Sequence, residues 1–328
     1  MAKLRRRLVG SIAYGSNSTV LLDLPREYIA TRLWLELTGN LVNGVAAAAA
    51  IINEAPQRLI RRVALKADGE TMQVWEGGML FAFWAMLNGV AADRQAPVVG
   101  VGTQPFRAMI PLCFEAIRTG NPSMTYLVTR RFLNLQLEVT WGTDTDIATP
   151  GGGGTSVVSA VNLDVVSDEL MNRPEALGLV VPYKDLIVGQ LTEQPSGAAS
   201  EYRIKLPKQD PVRGFFIRCA TQANNGRDLS NTVLNSLIVR ERVTLDTFRT
   251  SFDELRSINQ AEYGIAQDFE TPGTGFRFGG YVFVDNLKTG PGDVVSPRGF
   301  SEYDLVVDCD ANTHLTIAPI SIRGAESF

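Results

Sequence analysis

Along most of this chain apolar residues recur at every second position. "TRLWLEL" (31–37) places Leu33, Leu35 and Leu37 on one face, and "LNLQLEVTW" (133–141) does the same with Leu133, Leu135, Leu137 and Val139. That period belongs to a strand with one buried side. "STVLLDL" (18–24) and "FRAMIPLCFEAI" (106–117) read as further strands, and "RLIRRVALKADGETMQVW" (58–75) as strand, Asp68-Gly69 turn, strand. Asn43-Gly44 carries a second hairpin signal, and "VAAAAAII" after it is read as strand because Pro56 leaves little room for a helix. From about residue 200 the pattern resumes in "EYRIKLP", "GFFIRCAT", "LNSLIVRERVTL", "FRFGGYVFVDNL" and "EYDLVVDCDANTHLTI", each read as a strand.

Two stretches break the period. "GGMLFAFWAMLNG" (77–89) is apolar all round and ends in Asn-Gly, which predicts a short buried helix with Gly89 past its end. "SFDELRSINQAEYG" (251–264) has the capping-box pair Ser251 and Glu254, then Gly264. "GTDTDIATPGGGGTS" (142–156) has no periodicity and four consecutive glycines, so it reads as a flexible linker.

These landmarks repeat. Pro25 matches Pro207, Trp34 matches Phe215, and Leu59-Ile60 matches Leu237-Ile238, at separations of 182, 181 and 178 residues. Gly89 then matches Gly264, Phe106-Arg107 matches Phe276-Arg277, and Leu135 matches Leu305, at 175, 170 and 170. The order never crosses, as expected of a duplication. The predicted fold is all-β: two tandem antiparallel β-sandwiches in Greek-key or jelly-roll order, with one short helix in each half. The boundary is expected at 155/156, with "VVSAVNLDVV" (157–166) left as either the last strand of the first half or a crossing segment.

Composition narrows the function. With 328 residues, 30 Gly, 16 Pro and a net charge of −4, the chain is a turn-rich protein and a poor general nucleic-acid binder. The exception is the start, "MAKLRRRL", where Lys3, Arg5, Arg6 and Arg7 form a basic arm suited to phosphates or lipid headgroups. No signal-peptide core follows it. Two apolar-rich uncharged runs, 17 residues between Glu36 and Glu54 and 16 between Glu76 and Asp93, are interrupted or short for a bilayer span. Cys113, Cys219 and Cys309 stand alone in apolar stretches, which predicts reduced, buried thiols.

Catalytic material is sparse. His314 is the one histidine, and no Gly-x-Ser-x-Gly elbow accompanies it. Asp144/Asp146 and Asp308/Asp310 are paired carboxylates after matching strands. They are read as solvated turn residues, with calcium binding or, together with Glu302, glycosidase chemistry as alternatives. Neither "PGGGG" nor "GVGTQP" completes a phosphate- or dinucleotide-binding loop. Arg61-Arg62 and Arg130-Arg131 are basic doublets beside strands, read as surface charges or inter-subunit ion pairs. No cofactor and no enzymatic activity are expected.

"GSIAYGSNSTVLLDLPREYIATRLWLELTG" followed by "RLIRRVALKADGETM" resembles the amino-terminal domain of double jelly-roll major capsid proteins of tailless, membrane-containing icosahedral bacteriophages, distant relatives of the adenovirus hexon. The resemblance covers roughly the first 80 residues. It implies a homotrimer whose six jelly rolls form a pseudo-hexagonal capsomer, contacts with neighbouring capsomers and minor capsid proteins, and a place in the virion shell after synthesis in a host cytoplasm. It also implies an amino-terminal arm on the inner side near a lipid vesicle, a role that Lys3, Arg5, Arg6 and Arg7 fit, and no sequence-specific nucleic-acid contact. Loops 88–105 and 264–275 are the candidate outer loops. Two other readings remain: a carbohydrate-binding or glycoside-active tandem sandwich, which needs exposed aromatics among Trp34, Trp75, Trp84 and Trp141, and a minor capsid or spike protein.

Overall fold

The computed structural model describes residues 4–44, 50–118, 122–150, 154–171, 184–222, 226–242, 245–264, 279–286 and 295–324. The chain divides into two compact units at the Tyr183/Lys184 step. Eight principal strands build the first: β1 (Leu4–Ala13), β2 (Thr19–Asp23), β3 (Ile29–Asn43), β4 (Ile60–Ala67), β5 (Glu70–Trp75), β6 (Gly102–Cys113), β7 (Leu135–Trp141) and β8 (Ser156–Leu170). Helix α1 (Gly77–Asn88) lies between β5 and β6. One sheet has the order β1-β8-β3-β6 and the other β5-β4-β7-β2, all antiparallel.

The second unit contains β9 (Asp185–Val188), β10 (Ala199–Lys205), β11 (Val212–Thr221), β12 (Leu234–Arg242), β13 (Leu245–Ser251), β14 (Tyr281–Asp285), β15 (Asp304–Cys309) and β16 (Thr313–Arg323). Helix α2 (Phe252–Tyr263) stands between β13 and β14. Its sheets run β9-β16-β11-β14 and β13-β12-β15-β10. Adding eight to each strand number of the first unit reproduces the second. This is the eight-stranded jelly roll, made of two interleaved Greek keys, occurring twice.

The duplicated landmarks fall on equivalent places. Pro25 and Pro207 follow β2 and β10, Trp34 and Phe215 lie in β3 and β11, and Leu135 and Leu305 lie in β7 and β15. Gly89 and Gly264 close α1 and α2 in the left-handed conformation, at φ 71° and 72°. Ser251 caps α2 by accepting the Glu254 amide at 3.2 Å, while the Glu254 carboxylate takes the Thr250 hydroxyl at 3.0 Å. The pair Phe276-Arg277 lies outside the described residues.

Alternation produces the cores. Leu33, Leu35 and Leu37 of β3, with Ile110 and Leu112 of β6, are buried from one sheet, and Val63, Leu65, Leu137 and Val139 from the other. Phe215, Ile217, Leu237, Leu305 and Leu315 occupy the second core. Complete burial of such a side chain stabilises by about 1.5–3 kcal/mol.

Several expectations are corrected. Residues 4–13 form an edge strand rather than an arm, hydrogen-bonded to β8 from Leu4↔Leu170 to Ala13↔Asn162. Residues 156–170 are β8, the strand that joins β1 to β3, so the first unit runs past 155 and the glycine run falls inside it. Asn43-Gly44 does not turn β3 onto the next strand. Asn43 instead donates to the Gly100 carbonyl and accepts from Ser156, each at 2.8 Å, and residues 50–51 pair with 148–149. Of "VAAAAAII", residues 45–49 lie outside the described residues. "LNSLIVRERVTL" spans one strand and starts a second, because β12 and β13 pair antiparallel with Leu237 opposite Thr250.

On the solvent side of β7, Glu138 sits between Lys66 and Arg62 and accepts from both. The Lys66 ammonium, with Arg62 beside it, holds the Glu138 carboxyl below the usual carboxylate range. A carboxyl lowered on folding stabilises above its unfolded value, about 4.3, and that stabilisation is lost as pH falls through the lower folded value. Glu138→Gln is therefore expected to flatten the acid side of the stability profile. Urea midpoints measured from pH 7 downward check this, and unchanged acid sensitivity would exclude the arrangement.

Candidate interaction surface

The candidate surface lies at the end of the first sandwich where β1 begins. The β2–β3 connection, the β4–β5 turn and the β6–β7 connection meet there. Asp68, at φ 50°, and Gly69, at φ 85°, make the tight turn. The Asp68 carboxylate accepts the Leu133 and Asn134 amides at 2.7 and 2.8 Å, which fixes the β6–β7 connection against the turn. Arg26 donates to the Leu133 carbonyl, and the Thr129 hydroxyl donates to the Tyr28 carbonyl. Thr129–Arg131 is one 3-10 turn, and it presents Arg130 and Arg131 exposed at its end.

The basic start of the chain joins this end in an ordered way. Arg5 donates to the Tyr28 hydroxyl at 3.1 Å, with its guanidinium 5.3 Å from the ring centre. Arg6 pairs with Glu36 at 2.8 Å and lies over Trp34, while Arg7 is 3.8 Å from Glu27. Lys3 lies outside the described residues. Two of the three described cations are thus partly answered by carboxylates of their own chain.

Exposed apolar side chains accompany them. Leu133 is 78% exposed and Leu4 62%, while Met171, which follows β8, is also exposed. The sequence reading placed Leu133 inside with Leu135, but β7 starts two residues later and Leu133 stands on the connection. Arg26, Arg130, Arg131 and Leu133 were not assigned this role from sequence, since they come from separate loops. The usable signal was a leucine immediately following an Arg-Arg-Phe run.

The other candidates resolve as parts of the scaffold. Asp146 accepts from Arg61 and from the Thr143 amide, and Asp144 accepts the Val158 amide at 2.9 Å, so both hold their own turn. Asp308 ends inside β15, and exposed Asp310 accepts from Asn235 at 3.1 Å. No group of three or more His, Cys, Asp or Glu is placed to hold a metal ion among the described residues. His314 is buried in β16 beside Gln194, 2.9 Å away. Glu302 stands just before β15 in the second unit, whereas Asp144 and Asp146 belong to the first. Trp75 and Trp141 are buried, and half-buried Trp34 and Trp84 pack edge to face, so none offers a sugar platform. Cys113, Cys219 and Cys309 are free thiols; burial pushes Cys113 up to about 12 and the other two upward as well. Of the loops, 88–105 exposes Val90, Val98, Val99 and Val101, and 265–275 lies outside the described residues. No described helix is long and apolar enough to cross a membrane.

No protein-family model and no curated protein matches the sequence. Solved structures do match in fold. The STIV MCP (major capsid protein) superposes with a TM-score of 0.74 at 15% identity, covering 98% of this chain and 97% of its own. The major capsid protein P2 from Bacteriophage PM2 gives 0.57 at 10% identity with 100% of each chain covered. The Faustovirus major capsid protein gives 0.63 at 8% identity, covering 98% of this chain and 89% of its own. The double jelly-roll fold of those proteins is the fold of this chain.

Proposed function

We propose that this chain is the major capsid protein of an icosahedral virus and works as a homotrimer in the virion shell. The observation that carries the reading is agreement over both sandwiches: all eight strands of each unit are in jelly-roll order, and the STIV MCP is matched along 98% of this chain. A trimer of duplicated sandwiches presents six similar flanks, the pseudo-hexagonal outline that tiles a shell beside minor capsid proteins. The role is structural, without turnover of a substrate. That reading is supported by the use of Asp144, Asp146 and His314 inside turns and strands. The end bearing Lys3, Arg5, Arg6 and Arg7 faces inward, toward lipid.

Light scattering on a sizing column is expected to give three times the 35.8 kDa chain mass. A monomer at micromolar concentration in mild buffer would overturn the trimeric reading.

A further inference from the structure

We infer that a small cavity inside the first sandwich is a site for one unhydrated monovalent cation, of the size of potassium or ammonium, held by Glu169. The site lies within a single unit, so the inference is independent of the capsid reading. It stands on a buried carboxylate, on the groups around it and on the size of the space beside it.

Glu169 and Ser167 are alternate residues of β8, so they share the side of the strand that faces the core, and each is 1% exposed. The Ser167 hydroxyl donates to Glu169 Oε1 at 2.5 Å, whereas Oε2 is buried with no hydrogen-bond partner among the described residues. An ionised carboxylate taken out of water needs a compensating charge as well as hydrogen bonds. The facing cation does not supply it. Arg5 stands opposite Glu169 in the β1–β8 register, yet its guanidinium donates to the Tyr28 hydroxyl at 3.1 Å and lies over the Tyr28 ring. Neither Arg5 nor that hydroxyl reaches Oε2.

The cavity opens beside this carboxylate. Its apolar wall comes from Leu33, Phe114, Leu127 and Leu135, and its polar wall includes Glu169, Ser167 and Thr129. The Thr129 hydroxyl proton goes to the Tyr28 carbonyl and that of Ser167 to Glu169, so both hydroxyl oxygens have only lone pairs left to offer. An anion is repelled here. A water molecule would satisfy Oε2 but leave its charge uncompensated, whereas a cation does both.

Size selects among cations. The space is about 10 Å³, room for one water-sized species. Potassium and ammonium match it when stripped of water. Calcium gathers six to eight oxygens and magnesium keeps several of its waters, so neither is served by one carboxylate in this volume.

The test is thermal unfolding of the full-length protein in about 0.15 M potassium, ammonium or tetramethylammonium chloride, the last cation being too large for the cavity. Midpoints in potassium and ammonium are expected to lie about 3 °C above that in tetramethylammonium, the shift given by mass action at about ten times the dissociation constant. Glu169→Gln is expected to remove the difference, and Arg5→Ala to retain it. Equal midpoints in the three salts, a difference that survives Glu169→Gln, or one that disappears in Arg5→Ala would each overturn the inference. Crystals of the unsubstituted protein soaked in a thallium(I) salt give a readout that does not depend on any variant folding. An anomalous peak in contact with Glu169 Oε2 supports the site, and its absence overturns it.

Discussion

Replacing Arg213 with alanine is expected to cost about 3–5 kcal/mol of folding free energy, the usual consequence of stranding one member of a buried ion pair. Arg213 and Asp285 have side chains only 2% exposed, and their closest atoms are 3.3 Å apart. The same Asp285 oxygen accepts the Tyr263 hydroxyl from α2 at 2.9 Å, and the guanidinium lies 5.8 Å from the centre of the Phe283 ring. Asn286 bonds back to β11 through the Arg213 and Val212 carbonyls at 2.9 and 3.2 Å. The pair therefore ties β11, β14 and α2 together on the side of the sheet away from the core. Alanine leaves the carboxylate in a dry site without the Arg213 cation, and water cannot replace it without opening the strand edge. Thermal unfolding at fixed protein concentration is expected to show a midpoint lower by about 10 °C. Arg213→Met with Asp285→Leu removes both charges and is expected to recover most of the loss. A single substitution costing less than about 1 kcal/mol would mean that the pair is solvated.

How much of this was legible in the chain depends on how each strand is buried. β3, β4 and β7 have one wet and one dry side, so Leu33/Leu35/Leu37 and Leu135/Leu137/Val139 announce them. Both helices carried their own punctuation in Gly89 and Gly264. β1 was hidden because its alternation is written in arginine and leucine: Leu4, Arg6 and Leu8 share one side, Arg5 and Arg7 the other, and the run imitates a solvated terminus. β8 was hidden by its neighbour. A glycine run normally separates domains, but the strand that follows it, β8, belongs to the first sandwich and lies between β1 and β3. The interaction surface was least legible, because residues 26, 68 and 130–133 meet only through the jelly-roll connections, and no local spacing encodes that meeting. Arg130-Arg131 was visible as a doublet; that it shares an end with the basic first strand follows from topology alone.

The same topology inverts an ordinary expectation at Gly77, the first residue of α1. Alanine is favoured over glycine within a helix by about 1 kcal/mol, so Gly77→Ala would normally stabilise. A Cβ at this position would stand 2.3 Å from the Gln57 carbonyl oxygen and 2.9 Å from that of Ile60. Both are backbone atoms, and their segment is anchored on either side. The Leu59 carbonyl accepts the Gly142 amide at 2.7 Å, Ile60 pairs with Trp141, and the Arg58 amide reaches the Glu54 carbonyl at 3.1 Å. The clash cannot be relieved by rotating a side chain, so the helix start or the 57–60 turn must shift. Gly77→Ala is expected to destabilise by about 2–3 kcal/mol, read as a lower urea midpoint at unchanged slope. Gly69→Ala, where no atom lies within 4 Å of the added methyl, isolates the cost of positive φ alone, about 1–2 kcal/mol. If Gly77→Ala raised the midpoint, α1 could not approach the 57–60 turn as closely as described, and the packing that seats the first helix on its sandwich would be wrong.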